Sequence, residues 1–211
     1  MKQARLDQLA DGIFAIVMTI LVFDIRIPEF SGVVDDQMLV NALIDLAPTF
    51  LSYILSFSLL FTYWRSHHFI ESVLAKNIDL RFSNLNAIFF FFVALVPFSA
   101  HFLGNYSYSQ SAIISFAVNI ILIGLSLYSM RQYVLNSANI QNATITITEN
   151  EHANMRILFP VGAAVCAIVV SLYNTDFAIA LFTLAILFNL LKNSTRHTFI
   201  FIDLFRNKKV I

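Results

Sequence analysis

The stretch "DGIFAIVMTILVFDIRIP", residues 11–28, opens on an acid, runs apolar from Gly12 to Phe23 around one threonine, and stops at Asp24 and Arg26. A bilayer core takes roughly 20 apolar residues as helix, and the window 9–27 supplies them. Five further windows of similar length follow, at about 44–64, 85–104, 109–130, 157–174 and 176–192. Apolar residues make up 58% of the chain and charged residues 12%, and mean hydropathy is +0.75. These values lie far from the balance of a soluble globular domain. The expected architecture is therefore all-α: a single integral membrane domain over residues 1–211 with six transmembrane helices.

The first apolar run reads as a retained helix, because Asp7 and Asp11 stand where a signal peptide would be basic and no small-residue cleavage site follows. The single cysteine, Cys166, falls inside the fifth window, which excludes disulfides and multi-thiol metal sites within one chain. Lys2 and Arg5 precede the first window. Arg65, Lys76 and Arg81 join the second to the third, Arg131 and Arg156 join the fourth to the fifth, and Lys192, Arg196, Arg206, Lys208 and Lys209 follow the sixth. Twelve of the thirteen cations thus share one side, with Arg26 the exception. Cytoplasmic loops carry the positive excess, so a multi-pass protein of the cell membrane with both termini cytoplasmic is expected. The opposite face, with Asp24, Glu29, Asp35, Asp36 and Asp176, is acidic. The polar connection at 136–154 reads as a solvated loop, with a short strand over its Thr/Ile alternation as the alternative. Asn-x-Ser/Thr triplets at Asn105, Asn142 and Asn193 carry no weight.

On a helix of about 3.6 residues per turn, Ile16, Ile20 and Phe23 form one stripe with Thr19 beside it, and Asp11 projects roughly 140° away from Ile16. By spacing alone the stripe reads as ordinary packing or lipid contact. Thr19 reads either as a hydroxyl turned to the stripe's side or as one bonded back to the carbonyl of Ala15 or Ile16. Asp11 reads either as an acid placed by the helix dipole or as an intramembrane acid with a partner in the bundle. The candidates at its level are Arg5, Trp64, His67, His68, Asn84 and Asn86.

His67 and His68 are adjacent, so their side chains diverge by about 100°, and no His-x-x-x-His or acidic pair completes a metal set. His101 belongs near the outer surface, and His152 and His197 to cytoplasmic segments. The run "FFFFVALVPF", 89–98, reads as packing, with Pro97 kinking the third helix. No catalytic constellation or cofactor motif is present, and neither an enzyme activity nor a nucleic-acid partner is expected.

Three segments, "RLDQLADGIFAIVMTILVFDIRIP" at 5–28, "YWRSHHF" at 63–69 and "LNAIFFFFVALVPF" at 85–98, together resemble the prokaryotic members of the transmembrane protein 175 family of potassium channels. That family opens its first helix with Arg, three residues, then Phe-Ser-Asp. Here Arg5 and Leu9-Ala10-Asp11 fill the frame, so the arginine and the aspartate stay while the ring and the hydroxyl are gone. The resemblance implies a homotetramer in which the first helices line a central pore with stacked apolar layers. Counted from the motif aspartate, the constriction falls on Ile16, Thr19, Ile20 and Phe23, with phenylalanine at the last position where leucine or isoleucine is usual.

The implied function is passive conduction of monovalent cations, chiefly potassium, with the bilayer and further copies of the chain as the partners. Potassium is the permeant ion and no cofactor or resident metal is implied. No Thr-Val-Gly-Tyr-Gly filter loop occurs in the sequence, so selection falls to apolar layers that gate by dewetting. Thr19 hydroxyls would return part of the lost hydration. Asp11 would anchor the helix through the Arg5, Trp64, His67, His68, Asn84 and Asn86 neighbourhood, and Asp24, Glu29, Asp35 and Asp36 would gather cations at the outer mouth. Two other classes stand beside this one: a proton-coupled secondary transporter with Asp11 and His67 or His68 as a relay, and a non-conducting scaffold.

Overall fold

The computed structural model describes residues 3–137, 140 and 147–190, and all regular structure among them is helical. Helix α1 spans Gln3–Ile20 and tightens into a 3-10 turn over Leu21–Asp24. Next come α2 (Asp36–Asp45), α3 (Ala47–Phe69, continued by a wide turn to Leu74), α4 (Leu80–Ala94) and α5 (Val96–Asn105). The chain closes with α6 (Gln110–Asn136), α7 (Ile147–Ser171) and α8 (Thr175–Leu190). Among the described residues four stretches are long and apolar enough to cross a membrane: Arg5–Asp24, Leu80–Asn105, Gln110–Asn136 and Ala153–Ser171. A fifth forms if α2 and α3, bent 44° to one another, count as one span, and Thr175–Ile186 is a shorter apolar helix. The protein is thus a multi-pass helical membrane protein. A backbone in lipid must satisfy its own polar groups, and helices do so within one segment.

Local chemistry explains where the helices begin and break. The Asp35 carboxylate accepts a 2.7 Å bond from the Met38 N–H and starts α2, and Asp79 does the same for the Phe82 N–H at the start of α4. Pro48 and Pro97 lie in the first turns of α3 and α5, where a missing N–H costs nothing. The Pro97 break divides the third apolar window at Leu95.

Three sequence expectations shift. Asp35 and Asp36 belong to the start of α2, a helix rather than an outer loop, whose mixed polarity has no membrane signature. The second window ends well short of the helix, which continues through "RSHHF" because that polar stretch packs in the bundle. In the 136–154 connection, Ile147–Asn154 is helical and extends α7 ahead of its apolar window. Residues 138, 139 and 141–146, including Asn142 and most of the Thr/Ile alternation, lie outside the described residues. So do Lys2, Asn193, His197 and the cations from Lys192 to Lys209, and the His152 side chain.

Leu6, Ala10, Phe14, Val17 and Leu21 recur at helical spacing and are buried, packing α1 on α3, α4 and α5. Phe14 lies 5.9 Å from Phe89 of α4. On the other side, α6 buries Phe116 edge-on to Phe182 of α8 at 5.6 Å. The Asn119 amide of α6 donates to the Ser99 hydroxyl of α5 at 3.0 Å, an interhelical bond of the kind that joins helices in lipid. Where α6 meets α7 and α3, only a glycine fits. A Cβ on Gly124 would collide with Val161 Cγ2 and stand 2.8 Å from Tyr63 Oη, whereas one on Gly162 of α7 would meet nothing within 4 Å.

Gly124→Val is therefore expected to lower stability by about 1–3 kcal/mol through overpacking. Gly162→Ala is expected to be neutral or to gain up to about 1 kcal/mol of helix propensity. Thermal unfolding of the two variants in one detergent checks the contrast. Equal midpoints would show that the α6–α7 contact is looser than the structure has it.

Candidate permeation site

Helix α1 has two apolar faces and the chain covers only one. Phe14 on the inner face is 1% exposed, while Ile16, Ile20 and Phe23 are 59%, 42% and 64% exposed. Gly12, Ala15 and Thr19 lie exposed on the same outer side. The Thr19 hydroxyl donates to the carbonyls of Ala15 at 2.8 Å and Ile16 at 2.9 Å. Its proton is spent on the backbone, and its oxygen keeps acceptor capacity on the exposed side. The Arg26 side chain turns back to donate to the Phe23 carbonyl at 2.7 Å, tying the cation that breaks the charge asymmetry to the end of the stripe.

Two polar contacts hold the helix at its ends. At the N-terminal end, Trp64 Nε1 donates to Asp11 Oδ1 at 2.9 Å, and the indole stacks on His68 with ring centres 6.0 Å apart. Among the six candidates for Asp11, Trp64 is the one that reaches it, because α1 crosses α3 at that level; Arg5 and Asn84 lie exposed. His67 and Asn86 meet each other instead, Nε2 to Oδ1 at 2.7 Å, and the imidazole lies flat on Phe89 at 5.0 Å. At the far end, Asp24 Oδ1 stands 3.1 Å from His101 Nδ1. The Asn105 amide donates to the His101 carbonyl at 2.9 Å. Glu29, Asp35 and Asp36 are exposed.

Other residues of this network escaped the sequence reading. Glu71 is buried one helical turn beyond His67, with Oε1 3.6 Å from its Nε2; the i, i+4 spacing was a usable signal. His101 opposite Asp24 had none, since 77 residues separate them. Asp79 also accepts a hydrogen bond from the Tyr133 hydroxyl, and Arg81 sits over the Tyr133 ring at 5.0 Å. That hydroxyl, with backbone N–H bonds at the helix start, holds the exposed Asp79 carboxyl below its ordinary range.

A family model described as the endosomal/lysosomal potassium channel TMEM175 matches residues 5–97, the segment that holds the stripe, Trp64, His67 and Asn86. Over that segment the chain is similar to the TMEM175 potassium channels. That family is one of channels and not of enzymes. A potassium channel of Chryseobacterium sp. (strain P1-3) is 26% identical over 146 residues, covering 69% of this chain and 71% of that protein. One of Chamaesiphon minutus is 33% identical over 105 residues, about half of either chain. The crystal structure of a lysosomal potassium-selective channel TMEM175 homolog from Chamaesiphon minutus superposes with a TM-score of 0.73 at 22% identity. That superposition covers 89% of this chain and 95% of the other, so the TMEM175 fold extends beyond the segment matched in sequence.

The Asp11 to Trp64 bond is expected to contribute about 1 kcal/mol, the usual net value of a hydrogen bond. A double-mutant cycle with Asp11→Ala and Trp64→Phe, read by thermal unfolding, measures it. Additive effects of the two substitutions would show that the contact carries no coupling.

Proposed function

We propose that the protein conducts potassium passively through a pore lined by α1, with four copies arranged around a central axis. The observation that carries this reading is the uncovered apolar face of α1. Its own chain packs one face of α1 on α3, α4 and α5 yet leaves Ile16, Ile20 and Phe23 open, and a stripe on one helix encloses a path only when a symmetry axis repeats it. Ile16, Ile20 and Phe23 form the constriction. An ion passing them sheds water, which costs the weakly hydrated potassium ion less than sodium. The Thr19 oxygens, with their protons turned to the backbone, offer lone pairs to that ion.

In the proposed orientation both termini are cytoplasmic and the protein sits in the cell membrane. Asp24, held by His101, and the exposed Glu29, Asp35 and Asp36 raise the cation concentration at the outer mouth. The Asp11 to Trp64 contact holds α1 from behind at the inner end. Liposomes carrying only this protein test the reading. Electrogenic collapse of an imposed potassium gradient supports it, a flux that requires a second ion marks a coupled transporter, and no flux marks a scaffold.

Ile16→Ala and Phe23→Ala are expected to raise conductance and weaken discrimination against sodium, as seen in single-channel currents. Unchanged current and selectivity in both variants, with normal assembly, would exclude the stripe from the pore. Thr19→Val keeps the shape and removes the oxygen. It is expected to move the bi-ionic reversal potential toward zero by about 59 mV for each tenfold loss of selectivity. A reversal potential equal to the parent's assigns selection to the apolar layers alone.

A further inference from the structure

Arg131 is a cation buried with most of its donors unused. It lies near the end of α6 and is 0% exposed. One terminal nitrogen, Nη1, donates to Asn154 Oδ1 of α7 at 2.9 Å, while Nε and Nη2 have no hydrogen-bond partner. A buried charge left in that condition is costly.

The same side chain lines a cavity of about 220 Å³ between α3, α6 and α7, whose wall also includes Ser66, Phe69, Ile70, Ala153, Arg156 and Ile157. Arg131 and Arg156 both line this space, and among the described residues no carboxylate does. The Ser66 hydroxyl is already donated to the Thr62 carbonyl at 3.0 Å, and the nearest acid in sequence, Glu71, stands 3.6 Å from His67. With a share of roughly 30 Å³ per water molecule, the cavity has room for a tetrahedral oxyanion. The planar fork of arginine matches phosphate oxygens in pairs. Phe69, Ile70 and Ile157 give the cavity an apolar side.

We propose that this cavity binds a phosphate group, presented by a phospholipid headgroup or by a free phosphate, with Arg131 and Arg156 as its two cations. The site is independent of the pore and stands whether or not α1 conducts. Its place fits such a ligand, since α6 ends its span and α7 begins its own beside it, the depth at which basic pockets between helices meet headgroups.

The test uses the full-length protein in nanodiscs. Wild type is titrated with inorganic phosphate in phosphatidylcholine discs, and in a second arm phosphatidylglycerol replaces part of the lipid. Thermal midpoint and native mass spectrometry of retained lipid are the readouts. Arg131→Gln removes the donors, and Ala153→Phe fills the cavity while leaving the guanidinium in place. A rise in midpoint with phosphate alone assigns a free oxyanion, and one with phosphatidylglycerol plus retained lipid assigns a headgroup. Either response is expected to weaken at least about tenfold in Ala153→Phe, the equivalent of one lost charge-assisted hydrogen bond. Arg131→Gln, if it folds, is expected to match. No response of wild type in either arm, or an undiminished response in Ala153→Phe, overturns the assignment.

Discussion

Helix α1 buries Leu6, Ala10, Phe14, Val17 and Leu21 against its own chain. In lipid, burying apolar side chains against protein gains little over burying them against acyl chains, so close packing and polar contacts set how a helix is turned. Phe14 between His67 and Phe89 fixes the rotation of α1, and every statement about its outer face depends on that contact. Turned by one residue, the helix would bury Ile16 and expose Val17.

The polar contacts at the two ends act on the same degree of freedom. Trp64 holds Asp11 at one end and His101 stands against Asp24 at the other, so the helix is held against both sliding and rolling. Between these points no side-chain bond from α1 reaches another described helix, and Thr19 turns its proton inward to its own backbone. A constriction built on such a helix is defined by side-chain bulk and by the rigidity of what lies behind it.

The far half of the bundle works differently. There α6 and α7 approach closely enough that Gly124 has no room for a methyl group, and α6 carries Asn119 and Arg131 into the interior. Asn119 finds Ser99. Arg131 finds Asn154 with one nitrogen and leaves two others without a partner beside a cavity, the strongest departure from polar satisfaction among the described residues.

Composition and the lengths of the apolar runs determined that the chain is a helical membrane protein, because lipid admits few other backbones and the windows are read directly from hydropathy. The outer stripe of α1 was legible as a spacing, since Ile16, Ile20 and Phe23 share a face in any helix. The spacing alone left open whether that face packs inside the chain, and the tertiary structure decided it, because burial depends on which helices surround α1. Asp11 was legible as an acid in need of a partner, but choosing Trp64 over Arg5, His67, His68, Asn84 or Asn86 took the packing of α1 on α3. The pairing of Asp24 with His101 and the burial of Arg131 were invisible in the sequence. Each depends on contacts between residues distant along the chain, and no local periodicity encodes them.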